Sequence, residues 1–258
     1  MKQDDSGKTK KNLQANSASW NVPAAKLPPH RDYKDFRSSM SWRAFRILAE
    51  FVEGFEFIAD FPKCVTVFGS TRLSQGDKWY EEARKLGKLL ANEGIAVVTG
   101  GGPGVMEAAN RGASEAGGES VGINIKLPDE QRINPYVRKS KAFHYFFTRK
   151  VMLTYAAEAY VYFPGGFGTL DEFFEIVTLV QTKEISSIPV ILFGSEYWGP
   201  FAAWVDSQVY RKYRAIDKVD MSIYTIVDSA EEALRIIKKA PVREEFYDRA
   251  HYDPNTNK

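Results

Sequence analysis

A single cysteine, Cys64, stands among 258 residues. One thiol can neither close an intramolecular disulfide nor build a multi-cysteine zinc or iron–sulfur site. Histidine is almost as scarce. His30, His144 and His251 lie far apart with no H-E-x-x-H pairing, which argues against a metal enzyme. No run of about 18 apolar residues occurs, so no membrane-spanning helix is expected. The opening MKQDDSGKTKKNLQ lacks the apolar stretch of a secretory signal, and a cytoplasmic location is expected. Nor is there an excess of one charge. Thirty-five Lys and Arg against 33 Asp and Glu leave a formal +2, too balanced to imply nucleic-acid binding.

What is present is enough apolar residue for a sizeable core: 44% of the chain is hydrophobic, and a chain of this length can bury about three-quarters of its unfolded surface. Residues 1–35 are polar and broken by Pro23, Pro28 and Pro29, and read as a disordered leader carrying the weak basic run Lys8, Lys10, Lys11. Residues 36–61 turn helical. Trp42, Phe45, Ala49, Val52, Phe55 and Phe57 or Ile58 recur at three- and four-residue steps, a stripe expected to pack on the core or on a partner subunit.

From residue 62 to 241 short apolar runs alternate with helical ones. Strands are expected at Cys64–Phe68, Ile95–Thr99, Ser120–Ile125, Lys141–Tyr145, Ala159–Phe163, Pro189–Phe193 and near Tyr224–Val227, with helices between them. Residues 242–258 read as a tail. Strand–helix repetition with near-continuously apolar strands implies a parallel sheet covered on both faces, so the fold class is α/β, doubly wound and Rossmann-like, in one domain.

Ligands of such sheets lie beyond the carboxyl ends of the strands. Three strands end there in small-residue turns: Gly69-Ser70-Thr71, then GGGPG at 100–104, then GGFGT at 165–169. Glycine admits a close ligand and a helix N-terminus favours an anion, so phosphate is the expected guest. Candidate contacts are Ser70, Gly101, Gly102, Gly104, Met106, Gly165, Gly166, Gly168 and Thr169. A G-x-x-x-x-G-K-[ST] loop is absent. G-x-G-x-x-G fails as well, because its last position falls on Val105 counted from Gly100 and on Asp171 counted from Gly166. A mononucleotide suits these loops better than NAD or ATP.

Two readings stand open for Glu172. Thr169-x-x-Glu172 has the form of a capping box, and a carboxylate beside a phosphate site could equally stabilise a sugar cation or activate water. Arg149 and Lys150, one unit earlier, are either surface charges or holders of phosphate or leaving base.

The segments GGGPGVMEAANRGA (100–113), LPDEQ (127–131), FFTRK (146–150) and PGGFGTLDE (164–172) together resemble the LOG ("Lonely guy") family, over roughly residues 62–240. Its members are cytokinin riboside 5′-monophosphate phosphoribohydrolases, often mislabelled as possible lysine decarboxylases. The resemblance implies hydrolysis of the N-glycosidic bond of a nucleoside 5′-monophosphate, such as a cytokinin riboside monophosphate or AMP. It implies Arg149 and Glu172 as the catalytic pair. Glu130, Lys150, the Gly165–Thr169 turn and Thr178 correspond to substrate contacts. A homodimer or dimer of dimers is implied, with no cofactor and no metal.

The chain departs from the plant pattern GGGxxGLMG at Pro103–Glu107, and plant members lack the aromatic helix of 39–58. Glu107 is then either a pocket contact or an acid favoured at a helix start. The rival from another class is a nucleotide-binding or molybdenum-cofactor carrier protein of the same fold, which needs the anion loops but no carboxylate.

Overall fold

Each apolar run becomes a strand because both faces of the sheet are covered. The computed structural model describes residues 39–126, 133–155 and 157–240. The expected 1–35 leader and 242–258 tail lie outside them. The chain runs α1 (Met40–Ala59), β1 (Cys64–Phe68), α2 (Lys78–Asn92), β2 (Ala96–Thr99), α3 (Val105–Glu115), β3 (Ser120–Ile125), β4 (Lys139–Phe143), α4 (Phe146–Tyr155), β5 (Ala159–Tyr162), α5 (Phe167–Gln181), β6 (Val190–Phe193), α6 (Ser195–Trp204), β7 (Tyr224–Val227) and α7 (Ala230–Ile237). After α6 the backbone widens into a π-type segment over Val205–Lys212, so the helical stretch that follows β6 changes its winding part-way. No described helix is long and apolar enough to cross a membrane.

All seven strands are parallel, in the order β4-β3-β2-β1-β5-β6-β7. The chain winds outward from β1 to one edge, then returns to lay β5 on the other side of β1. Val65 accordingly pairs with Val97 on one flank and Ala159 on the other. The winding direction reverses between β1 and β5, and such a switch point opens a crevice at the strand ends. GST follows β1 and GGFGT follows β5, so sequence order places both glycine turns at that crevice. The strand expected at Lys141–Tyr145 sits two residues earlier, because Lys139 to Phe143 pair with β3 from Val121 to Ile125.

Two cores sandwich the sheet. One unites Ile58, Phe61, Met152, Leu153, Phe173, Ile176 and Trp198 under α1, α4, α5 and α6; the other unites Tyr80, Leu86, Leu90, Val105, Ala109 and Ala233 under α2, α3 and α7. Helices α2 and α3 touch backbone to backbone. A Cβ on Gly87 would stand 2.1 Å from Ala109 O, and one on Gly112 would stand 1.8 Å from Arg84 O.

Helix α1 forms where its pattern places it, with Ser39 Oγ accepting from Trp42 N at 3.2 Å as its N-cap. The apolar stripe enters the core only at its C-terminal end, through Phe57 and Ile58. Gly54 and Ile58 are buried with Phe51 and Phe57 partly so, whereas Phe45, Val52 and Phe55 face outward. The helix is apolar on two sides, and the sheet takes the side with Gly54, which lets the backbone come close. Of the two expected partners for the stripe, the core takes its end at Phe57 and Ile58 and leaves Phe45 and Val52 exposed.

Candidate active site

A cavity of about 680 Å³ opens at the switch point, walled by the turns after β1 and β5 together with residues of α4, α5 and α6. The backbone ties its loops together. Ser70 N donates to Pro164 O at 3.0 Å, and Ser70 O accepts from Val105 N at 3.0 Å. One residue thus joins the ends of β1 and β5 to the start of α3. Gly104, at φ 74°, permits this joint, since a Cβ there would stand 2.2 Å from Ser70 O.

The glycine-rich turns divide their labour. In the 100–104 loop the missing side chains make room for protein. A Cβ on Gly100 would meet Arg149 Nη2 at 2.4 Å, one on Gly101 Asn124 Nδ2 at 2.3 Å, and one on Gly102 Met106 Cε at 2.7 Å. Buried amides fix this loop, with Asn124 Nδ2 donating to Gly100 O at 3.1 Å and Asn134 Nδ2 to Gly102 O at 3.0 Å. In the 165–169 turn, by contrast, Gly166 and Gly168 face open space. Gly166 is the N-cap of α5 and provides no side-chain oxygen to the first turn. Free N–H donors and unobstructed glycines at a helix N-terminus are the elements of an anion cradle. Arg72 and Ser70 line the facing wall, with Arg72 N donating to Ser70 Oγ at 3.1 Å.

Glu172 lies on the same wall, 5% exposed, with Oε2 lacking any hydrogen-bond partner. Burial is the main force that lifts its pKa to about 7; Lys150 and Arg149 pull the other way, and Glu175 and Asp171 add to the rise. The capping-box reading is overturned. Helix α5 begins at Phe167, so Thr169 is already inside its first turn and Glu172 comes one turn further along, with no acidic residue in the first turn.

Arg149 reaches the cavity from α4, its Nε donating to Ile123 O at 2.9 Å and its guanidinium 5.6 Å from the centre of the Phe146 ring. Burial lowers its pKa and the Glu172 charge raises it. A carboxylate and a guanidinium thus share one pocket and each feels the other's charge.

Of the residues singled out by sequence, the fold brings Ser70, Met106, Arg149, Gly165, Gly166, Gly168, Thr169 and Glu172 to this cavity. Gly101, Gly102 and Gly104 stand behind its wall, packed against protein. Lys150 does not itself line the cavity; its Nζ pairs with Asp171 Oδ2, on the cavity wall, at 2.7 Å and with Glu175 Oε2 at 3.0 Å, and its charge acts on Glu172 from there. Thr178 is exposed further along α5, its hydroxyl donating to Phe174 O at 2.7 Å. Glu130 lies outside the described residues. Glu107 is no wall residue: it sits in the first turn of α3 and accepts from Tyr80 Oη at 3.1 Å.

The family model described as "Possible lysine decarboxylase" matches residues 106–237, just over half of the chain. The chain belongs to this family. Within it, the cytokinin riboside 5′-monophosphate phosphoribohydrolase LOG of Oryza sativa subsp. japonica is 29% identical over 186 residues, 70% of this chain and 70% of that protein. The X-ray structure of TM1055, a structural-genomics target, is 32% identical with a TM-score of 0.52, covering 69% of this chain and 99% of that one. The molybdenum cofactor binding protein of the phototrophic bacterium Rippkaea orientalis also shares the fold, at 24% identity and TM-score 0.52 over 68% of this chain and 95% of that one.

The family's descriptive label implies pyridoxal phosphate, which needs a lysine amine free to form an imine. Among the described residues no lysine lines the cavity, and Lys150, beside it in sequence, is held by two carboxylates. The pocket does not fit that cofactor.

Proposed function

We propose that this family member hydrolyses the N-glycosidic bond of a nucleoside 5′-monophosphate, giving free base and ribose 5-phosphate. The observation that carries this reading is Glu172: a buried carboxylate with an unpartnered oxygen, in the same pocket as an open helix N-terminus and a guanidinium. A carrier needs the anion cradle alone, and leaves a buried, unpaired acid without a purpose.

The chemistry follows from the placement. The 5′-phosphate seats on the Gly165–Thr169 turn and fixes the ribose by binding energy remote from the reacting bond. As the C1′–N bond breaks, its electron pair leaves with the base and positive charge grows on the ribose. Glu172, as a carboxylate, stabilises that charge and takes a proton from the water that bonds to C1′. Arg149 faces the negative charge gathering on the departing base; the base takes up a proton from solvent, and Glu172 returns to solvent the one it took from the attacking water. The relatives' names make adenine-type nucleotides, including N6-prenylated ones, the first substrates to try. The test is to incubate the purified protein with AMP and with isopentenyladenosine 5′-monophosphate, beside the matching nucleosides. Base released from the phosphorylated compounds alone is the expected result; equal release from nucleosides contradicts the phosphate's role.

A second copy of the chain is the proposed partner, assembled in the cytoplasm as a homodimer. Among the described helices, the exposed large apolar residues all fall on one side of the sheet. Phe45, Leu48 and Val52 of α1 are 65%, 59% and 50% exposed, and Phe147, Phe174 and Trp204 continue the surface over α4, α5 and α6. Helices α2, α3 and α7 carry none. An apolar surface this one-sided supports the dimer reading, and Phe146 and Phe167 extend it to the cavity. Phe45→Glu with Val52→Glu is expected to halve the mass found by light scattering after gel filtration, without unfolding the chain. An unchanged mass would remove α1 from the interface.

A further inference from the structure

Helix α1 lies outside the residues matched by the family model, yet it holds the helix that delivers Arg149. We propose that Glu50 is a positioning residue for Arg149, acting by capping the N-terminus of α4. Its Oε1 accepts from His144 N at 2.6 Å, and its Oε2 accepts from Tyr145 N at 3.2 Å and from Thr148 Oγ1 at 2.7 Å. Tyr145 O in turn accepts from Arg149 N at 3.3 Å, in the first turn of α4. One carboxylate is therefore a single residue removed from the backbone amide of Arg149.

Local sequence offers α4 no such support. Its first turn contains no acidic residue, and the first donors of any helix need partners from outside it. Glu50, about 95 residues away, takes the amides of His144 and Tyr145 just ahead of α4 and the Thr148 hydroxyl in its first turn, with a charge of the sign a helix N-terminus favours. The rest of α1 keeps the two helices in register. A Cβ on Gly54 would stand 2.7 Å from Met152 Sδ, and the Phe55 and Tyr155 rings meet edge-on at 4.9 Å. Lys141 of β4 pairs with Glu53 on the adjoining turn. Without the cap, the first turn of α4 frays and the guanidinium loses its fixed approach to the cavity. Phosphate binding at α5 is untouched, so the loss falls on the chemical step.

The activity side of this inference rests on the hydrolase reading; the capping side does not. The experiment compares Glu50→Ala and Glu50→Gln with Glu56→Ala, an exposed acid of the same helix. Hydrogen exchange is expected to speed up across residues 144–149 in Glu50→Ala, and to stay unchanged in α3 and α5. On AMP, kcat is expected to fall about ten- to a hundredfold with KM altered far less. Glu50→Gln, which keeps one acceptor oxygen, lies between; it carries the same comparison if Glu50→Ala does not fold. In an Arg149→Ala background the Glu50 substitution is expected to have no further effect on kcat. An equal loss in both backgrounds would mark general support of the fold and overturn the proposal, as would unchanged exchange at 144–149. Should the wild type bind AMP without cleaving it, the hydrolase reading fails, and the exchange pattern alone decides whether Glu50 caps α4.

Discussion

Glu172→Gln is expected to lower turnover of a nucleoside monophosphate by at least about a thousandfold while leaving nucleotide binding within a few-fold. The amide keeps the shape of the side chain but can neither take a proton nor offset a ribose cation. Stability moves the other way. Glu172 has its folded pKa raised from 4.5 to about 7, chiefly by burial, so between those values the folded state binds the extra proton. Below pH 4.5 both states are protonated and the group contributes nothing; as pH rises to 7 folding stability drains away, and above 7 the full cost of about 3 kcal/mol is present. Glu172→Gln lacks that cost. Its unfolding midpoint is expected to exceed that of wild type at pH 8, by an amount that shrinks toward zero near pH 4.5. A variant less stable than wild type at pH 8 would return Glu172 to a structural role.

Arg149→Ala carries the second large effect, a fall in kcat/KM of about 10² to 10³. Its second signature is a shift in pH dependence. In the proposed reaction Glu172 works as the carboxylate, so wild-type activity is expected to rise through an acid limb near pH 7. The Arg149 charge lowers the Glu172 pKa; removing it moves that limb to higher pH. The ionisation of the substrate's own phosphate cannot produce such a shift, because the protein substitution leaves it where it was. A limb that stays in place would separate the two groups and leave Arg149 a role in binding alone.

The architecture was legible because its signals are strong and local. Five- and six-residue apolar strands ending in glycine turns admit few other folds, and β1, β3 and β6 lie within a residue of their expected limits. The pocket was legible for the same reason: a parallel sheet carries its turns to one edge, so Ser70, Gly166 and Glu172 had to converge.

What escaped depends on contacts made over long distances or on the pitch of a helix. Thr169-x-x-Glu172 has the spacing of a cap, but Gly166 starts the helix earlier, and no local pattern separates the two starts. Lys150, expected as a substrate contact, follows Arg149 directly, but the 100° turn between neighbours on a helix sets it on Asp171 and Glu175 instead of in the cavity lining. Both sides of α1 are apolar, and the side that packs on α4 and β4 is the one with the buried Gly54 and Ile58. Asn124, a polar residue within the buried strand SVGINI, is a sequence signal for a buried polar contact: it holds the loop at Gly100. Glu50 gave none, being one of several acids on a helix face.

Cleavage of a C1′–N bond, as opposed to mere holding of a nucleotide, is what sets the proposed hydrolase apart from a carrier. The most direct test mixes a stoichiometric amount of protein with AMP and quantifies adenine, ribose 5-phosphate and intact nucleotide over time. Adenine and ribose 5-phosphate appearing in equal amounts with wild type, and neither with Glu172→Gln, is the predicted result. AMP bound tightly and recovered whole from the wild-type protein, with an N6-prenylated nucleotide behaving alike, would contradict it and leave a carrier.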